Sequence, residues 1–426
     1  MGSLFLRGVA DDAIRWQPET PITGPTTAKA EPAMTDDIGA IVDWLVDGAR
    51  SAPRPDMVLE QLCAKLVAAG LPISRAGVFV STLHPNVVAR RFLWKADAAA
   101  VEIGEASFKT AESDAYRDSP IAYVYAHGVP IRRRLADPDC PLDFTVLADL
   151  RQEGVTDYLI QPLIFTWGAV HAASWATRRP GGFTEAQIAA LGRIEAPLTR
   201  VAEIRARERE AVNLLNAYVG GGAGERILAG RIRRGDVETI RAAIWLSDMR
   251  GFTALADRLP PPELIALLNR YFDCQVPAIH RQGGEVLKFM GDGLLAIFPL
   301  PGGERDTGAA CGRALAAARE ARDAVAMLRR DDTMGSERVR CGIALHLGDV
   351  LYGNIGGENR LDFTCIGPGV NLAARLEKLT ARLHRTILAS AAFAGHCTGD
   401  FVPLGEFAIA GFAAPQTAYG LAEEAG

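Results

Sequence analysis

Apolar positions change period several times along this chain of 426 residues. Over residues 57–69 they recur every three or four positions and stop at Gly70, which predicts a helix. Four short runs follow, at 76–82, 88–94, 157–165 and 169–177. They are rich in β-branched and aromatic residues and bounded by Gly, Pro or Asn, so they predict strands. Pro180, Gly181 and Gly182 punctuate the chain, and Thr184 with Gln187 has the spacing of a capping box that opens a helix. In that helix Leu191, Ile194, Leu198, Val201 and Ile204 form a narrow apolar stripe, and Pro197 predicts a kink or break. A charged run at 205–210 leads to Leu214, Leu215 and Tyr218, and Gly220, Gly221 and Gly222 end the segment. The stripe fits packing against its own domain or a parallel dimer linker between two domains.

Beyond residue 238 the pattern alternates. It predicts a strand at 242–247, a helix at 262–280, strands at 285–290 and 294–298 and a helix at 307–328. Strands at 339–346, 349–353 and 361–366 and a helix at 369–381 follow, with short strands near 386–388 and 401–404. Helices interleaved with hairpin-connected strands predict a ferredoxin-like α+β sheet. The expected organisation is a disordered arm over 1–36, an α/β domain over 37–205, a helical linker over 206–237 and a second domain over 238–426.

Composition narrows the classes. Hydrophobic residues make up 49% and the formal net charge is -5, so a chain with buried cores and no basic nucleic-acid surface is expected. The seven cysteines form no CxxC pair, which reads as reduced thiols in a cytoplasmic protein. No apolar run reaches the roughly 18–20 residues of a membrane span, and the first residues resemble neither a signal peptide nor a myristoylation site.

Five polar residues sit where chemistry needs them. Asp248 ends an apolar strand and precedes Met249, Arg250, Gly251, Phe252 and Thr253. A carboxylate there holds Mg²⁺ or simply caps a short helix, and the following N–H groups can receive phosphates. Asp292, before Gly293, reads as a hairpin turn; the functional reading pairs it with Asp248 on two metals. Lys288 shares a strand face with Val286 and Met290, as an exposed edge lysine or as a donor to a base nitrogen. Asn371 and Arg375 are four apart on one helix face beside Leu372, Leu376 and Leu379. They are a solvated face, or they hold a ribose oxygen and neutralise charge on a reacting phosphate.

Taken in order, residues 247–253, 288–293, 342–348 and 371–375 resemble the class III adenylate and guanylate cyclase catalytic domain over about 240–422. The resemblance implies two metals (Mg²⁺ or Mn²⁺) on Asp248 and Asp292, helped by the Met249 carbonyl. It implies phosphate contacts from Gly251, Phe252 and Thr253, ribose orientation by Asn371 and transition-state stabilisation by Arg375. Lys288 and Thr364, seven before Asn371, would read adenine, so ATP is the expected substrate and cyclic AMP the product. The family builds its site between two catalytic domains, which implies a homodimer. Guanylate cyclase activity and an inactive regulatory dimer are the alternatives. A diguanylate cyclase fits poorly, because Gly283-Gly284-Glu285 runs on into Val-Leu and the Asn/Arg helix would go unused. Two departures stand out. The family often has Asp after the Ile-Gly of the helix entry, where this chain has Pro368. The family's C-terminal phosphate lysine is missing from 407–412, leaving Arg382 or Arg385 as substitutes. The stretch 155–185 resembles the end of a GAF sensor domain, which implies a small regulatory ligand of unknown identity.

Overall fold

The computed structural model describes residues 32–300, 303–328, 339–397 and 399–424. The expected arm lies outside the described residues up to 31. Its last residues instead open helix α1, Pro32–Val46, a start that suits proline because its missing N–H is unneeded there. The chain divides into two compact units. One gathers the chain up to Val78 with Phe92–Ile103 and Asp118–Val201; the other gathers Phe79–Arg91, Gly104–Arg117 and the chain from Ala202 onward.

The N-terminal sheet has six strands: β1 Arg75–Ser81, β2 Ala89–Lys95, β3 Glu102–Ala106, β4 Ile131–Arg133, β5 Asp157–Ile164 and β6 Val170–Thr177. Their order is β3-β2-β1-β6-β5-β4. Helices α2 Pro55–Ala68, α3 Phe108–Ala111, α4 Asp114–Arg117, α5 Pro120–His127 and α6 Thr145–Gln152 complete this half. Strands β3 and β4, short and polar, carry no alternating pattern that a sequence could reveal. The fully buried Asp157 accepts from Arg132 Nη2 at 2.8 Å and from the Phe183 N–H at 3.0 Å, tying β4 and β5 to the next helix entry. The capping box forms as expected: the Thr184 N–H donates to Gln187 Oε1 at 3.0 Å and the Gln187 N–H to Thr184 Oγ1 at 3.2 Å.

Helix α7, Glu185–Val219, then runs 35 residues with Pro197 inside it, where a kink or break was expected. Leu191, Ile194, Leu198 and Val201 are all buried, so packing on both sides of the proline holds the helix through one missing hydrogen bond. The stripe therefore serves its own domain as far as Val201, whereas Ile204, Leu214 and Tyr218 remain exposed. Gly220, at φ 87, ends α7 and begins a short helix, α8 Gly221–Leu228, inside the expected helical linker.

The C-terminal sheet is built from β7 Val237–Met249, β8 Glu285–Met290, β9 Gly293–Pro299, β10 Cys341–Gly356, β11 Leu361–Ile366, β12 Ile387–Ser390, β13 Phe401–Phe407 and β14 Gln416–Leu421. Its helices are α9 Phe252–Ala256, α10 Pro261–Arg281, α11 Thr307–Met327, α12 Pro368–Arg382 and α13 Ala391–Ala394. The strand order is β13-β14-β12-β10-β7-β9-β8, with β11 paired to β10. The first four strands and two long helices make the expected ferredoxin-like βαββαβ unit. One difference is β10, a single strand where two were expected. Residues 347 and 348 stay in register with Ala243 and Ala242 of β7, so the pairing runs on through them.

Both faces of this sheet are covered. Trp245, Tyr271 and Phe298 pack with α10 and α11 on one side. Ile244, Leu246, Leu295 and Ile297 pack with Ala223 and Ala373, from α8 and α12, on the other. Neighbouring β7 residues thus bury on opposite faces, which reads in sequence as a continuous apolar run.

Candidate active site

The register of three strands decides where the acidic residues meet. Ser247 of β7 pairs with Leu294 of β9, and Met290 of β8 pairs with Gly293. The intervening turn is Gly291-Asp292, with Gly291 at φ 69. This corrects the expected Asp-Gly turn by one residue. Gly293 has a different role: a Cβ on it would lie 3.1 Å from the Ser247 carbonyl oxygen and 3.4 Å from Asp248 Oδ1. Its missing side chain avoids crowding the Ser247 carbonyl and keeps the space beside the Asp248 carboxylate open. Burial, a hydrogen bond shared with Asp292, and the charges of Asp292 and Glu377 push Asp248 up to about 7, while the Met249 N–H pulls it partly back. Two crowded carboxylates of this kind ask for a cation between them.

This donor set fits a hard divalent ion. Among the described residues no three His, Cys, Asp or Glu side chains cluster as ligands. Mg²⁺ suits such a site, because it uses one or two carboxylates and takes further oxygens from water and phosphate. Beside the pair, Gly251 adopts φ 71 and starts α9, and Phe252 tucks against the core. The N–H groups of Phe252 and Thr253 stand in the first turn of α9, where intrahelical acceptors are absent.

The hairpin is anchored at its base. Glu285 Oε1 accepts from the Ala223 N–H at 3.0 Å, and both Glu285 oxygens accept from the Tyr352 hydroxyl at 3.0 and 2.9 Å. That occupies Glu285 structurally and removes it from the chemistry a diguanylate cyclase would ask of this stretch. Further along, a register shift between Val286 and Lys288 bulges the edge strand β8. Lys288 Nζ lies 3.6 Å from Asp362 Oδ2 on β11. Thr364 stands on the same strand and is buried, and its Oγ1 has no hydrogen-bond partner. A buried hydroxyl left unpaired is unusual, and this one has both donor and acceptor capacity unused.

Asn371 and Arg375 stand apart from all this. They lie on the exposed side of α12, while Leu372, Leu376 and Leu379 are buried. Among the described residues neither side chain has a hydrogen-bond or ion-pair partner. Of the two candidate substitutes for the missing lysine, Arg385 donates to the Glu424 carbonyl. Arg382 is exposed. Pro368 sits at the first position of α12, a compatible replacement for the family's Asp at that entry.

Two residues the sequence reading passed over also belong here. Glu377, on α12, is buried. Burial raises its carboxyl, and Arg250 and Lys378 offset that. The Arg250 guanidinium faces it, with Nη1 at 4.0 Å from Glu377 Oε1. The available signal was an arginine inside the Asp248 loop and a glutamate on the buried stripe of an amphipathic helix.

The profile described as "Adenylate and Guanylate cyclase catalytic domain" matches residues 237–421. An adenylate cyclase of Anabaena cylindrica is 34% identical over 162 residues, covering 37% of this chain and 31% of that protein. Adenylate cyclase 1 of Rhizobium meliloti is 32% identical over 162 residues, covering 37% of this chain and 24% of that protein. The chain thus spans about a third or less of the length of these curated relatives. The crystal structure of the adenylyl cyclase CyaB from P. aeruginosa aligns with a TM-score of 0.38 at 27% identity, covering 44% of this chain and 95% of that one. No helix among the described residues is long and apolar enough to cross a membrane. The acidic pair, the lysine strand and the Asn/Arg helix all lie inside residues 237–421, the span that matches the adenylate and guanylate cyclase catalytic domain.

Proposed function

We propose that this chain is an adenylate cyclase, converting ATP to 3′,5′-cyclic AMP and pyrophosphate. The observation that carries the reading is the convergence of Asp248 and Asp292, whose carboxyl groups share a hydrogen bond. In this reading the ribose 3′-oxygen attacks the α-phosphorus in line and pyrophosphate leaves. Bound at the acidic pair, two Mg²⁺ or Mn²⁺ ions lower the pKa of the attacking hydroxyl and neutralise phosphate charge. Asp248, Asp292 and the Met249 carbonyl hold them, and the N–H groups of Gly251, Phe252 and Thr253 receive phosphate oxygens. Arg382, exposed and unpaired among the described residues, is the substitute for the missing lysine. Lys288 donates to an adenine ring nitrogen, and Thr364 Oγ1 supplies the second contact; its unpaired state in the free chain supports that role. The guanylate alternative is favoured by no residue observed in the purine-reading pair.

The site is completed by a second copy of the chain. Asn371 and Arg375 are exposed and unpaired among the described residues, and both would act across the interface, on ribose and on the developing phosphate charge. Phe289, Met290, Leu351, Leu361 and Ile366 are exposed apolar residues on the strands around the site, which supports a covered surface. The N-terminal sheet is proposed as a GAF-like domain whose small ligand regulates the output, and the free cysteines suit a cytoplasmic setting.

The test is product identification. Purified protein incubated with ATP or GTP and Mg²⁺ or Mn²⁺ should yield cyclic AMP from ATP in preference to cyclic GMP. Asp248→Ala should abolish turnover, and retained activity would remove the metal assignment. No turnover with Mn²⁺ would favour an inactive regulatory dimer.

A further inference from the structure

Arg250 lies in the loop that follows Asp248, yet its side chain is directed to a different element. Its backbone N–H donates to the Arg340 carbonyl at 2.8 Å, which pins the loop to the entry of β10. Its guanidinium then crosses Gly342, the β10 residue in register with Asp248. A Cβ on Gly342 would lie 2.3 Å from Arg250 Nη2 and 2.3 Å from Thr380 Oγ1. Only glycine at this position leaves space for an arginine squeezed between the sheet and α12. On the far side stands the buried Glu377, with Oε1 at 4.0 Å from Nη1. Nη2 is buried without a hydrogen-bond partner. The guanidinium is only partly buried, but its Nη2 is enclosed beside a buried carboxylate, so removing either partner would leave the other's charge poorly compensated.

Glu377 is two residues beyond Arg375 and six beyond Asn371, on the same rigid helix. The Arg250–Glu377 pair therefore joins the metal-binding loop to the Asn/Arg helix within one chain. In a shared-site dimer those two elements serve different sites. We propose that Arg250 and Glu377 form a positioning strut that sets both half-sites of one chain together, so that breaking it disturbs the site at which that chain supplies only the helix. This rests on the shared-site reading above.

The placement of the variant tests it. Full-length Asp292→Ala and Arg375→Ala chains, differently tagged and co-purified as heterodimers, retain one intact site. That site takes its metal loop from the Arg375→Ala chain and its helix from the Asp292→Ala chain. Arg250→Met is then added to the Asp292→Ala chain, whose own metal loop is already out of use. The strut predicts that cyclic AMP formation with Mn²⁺ and ATP falls about tenfold, within the range for residues of one ion-pair network. Arg250→Lys should recover part of the loss. The reciprocal variant, Glu377→Gln in the Arg375→Ala chain, should also lower activity, although that chain's helix is out of use. Thermal melting of each heterodimer confirms folding, and either placement alone suffices if the other variant does not fold. Unchanged activity in a folded heterodimer overturns the strut and leaves the shared site standing. If the parent pair is inactive in confirmed heterodimers, the shared-site reading fails and the strut with it.

Discussion

The acidic half of the site and the helical half are built by opposite means. Asp248 and Asp292 come from separate stretches of sequence and are forced together by strand register, at a cost visible in the raised Asp248 carboxyl. Asn371 and Arg375 come from one helix turn, need no register, and are left exposed with no partner among the described residues. One half is already crowded and asks for a cation; the other is open and asks for a surface. On the proposed shared-site reading, the first half is completed within a chain and the second is turned outward to a partner copy.

Substitutions should break this contrast unequally. Removing an acidic ligand should cost most: Asp292→Ala is expected to lower kcat about a thousandfold or more, because metal charge is lost from the transition state. Arg375→Ala should follow at about a hundredfold to a thousandfold in kcat, with KM for ATP little changed, since its contact forms as charge develops. Steady-state kinetics on both variants checks the ranking, and a large KM change for Arg375→Ala would place it in ground-state binding.

The purine-reading strand should show a smaller effect. Thr364→Ala is expected to lower kcat/KM for ATP about tenfold, the worth of one hydrogen bond in a buried site. Lys288→Glu should shift preference towards GTP in a competition of the two nucleotides. An unchanged ratio would take Lys288 out of base recognition.

A last effect, on stability and not on turnover, should spare the contrast altogether. His346 is buried in β10, with Nδ1 2.8 Å from Ser390 Oγ. Burial, helped by the Arg241 charge, lowers it to about 4. The neutral ring is favoured in the fold, so its stability is fully present above the unfolded pKa of about 6.5 and is lost as pH falls from there towards 4. Spread over that window, the loss is about 3 kcal/mol. Chemical denaturation at several pH values should show it, and His346→Gln should flatten that part of the profile.

How much of this the sequence revealed follows the same division. Asn371 and Arg375 are legible because helix geometry fixes which residues four apart share a face. The βαββαβ order is legible because β7, β9 and β10 are apolar runs separated by amphipathic helices. The meeting of Asp248 with Asp292 is not derivable from pattern alone, since it depends on pairing Ser247 with Leu294. Gly293 looked like turn chemistry, whereas the structure uses it for close approach. Arg250 and Glu377 were invisible as a pair because each has an ordinary local explanation. Of the kink or break expected at Pro197, the break does not occur: the rule for proline weighs a lost hydrogen bond, and burial of Leu191, Ile194, Leu198 and Val201 holds the helix continuous.

The most direct measurement mixes the two halves. Asp292→Ala and Arg375→Ala proteins should each be nearly inactive alone. If chains assort at random, their mixture should regain about a quarter of wild-type turnover per chain, because half the dimers are mixed and each holds one intact site. That recovery of cyclic AMP formation is the predicted result. No recovery in verified heterodimers would contradict an active site shared between two copies of this chain.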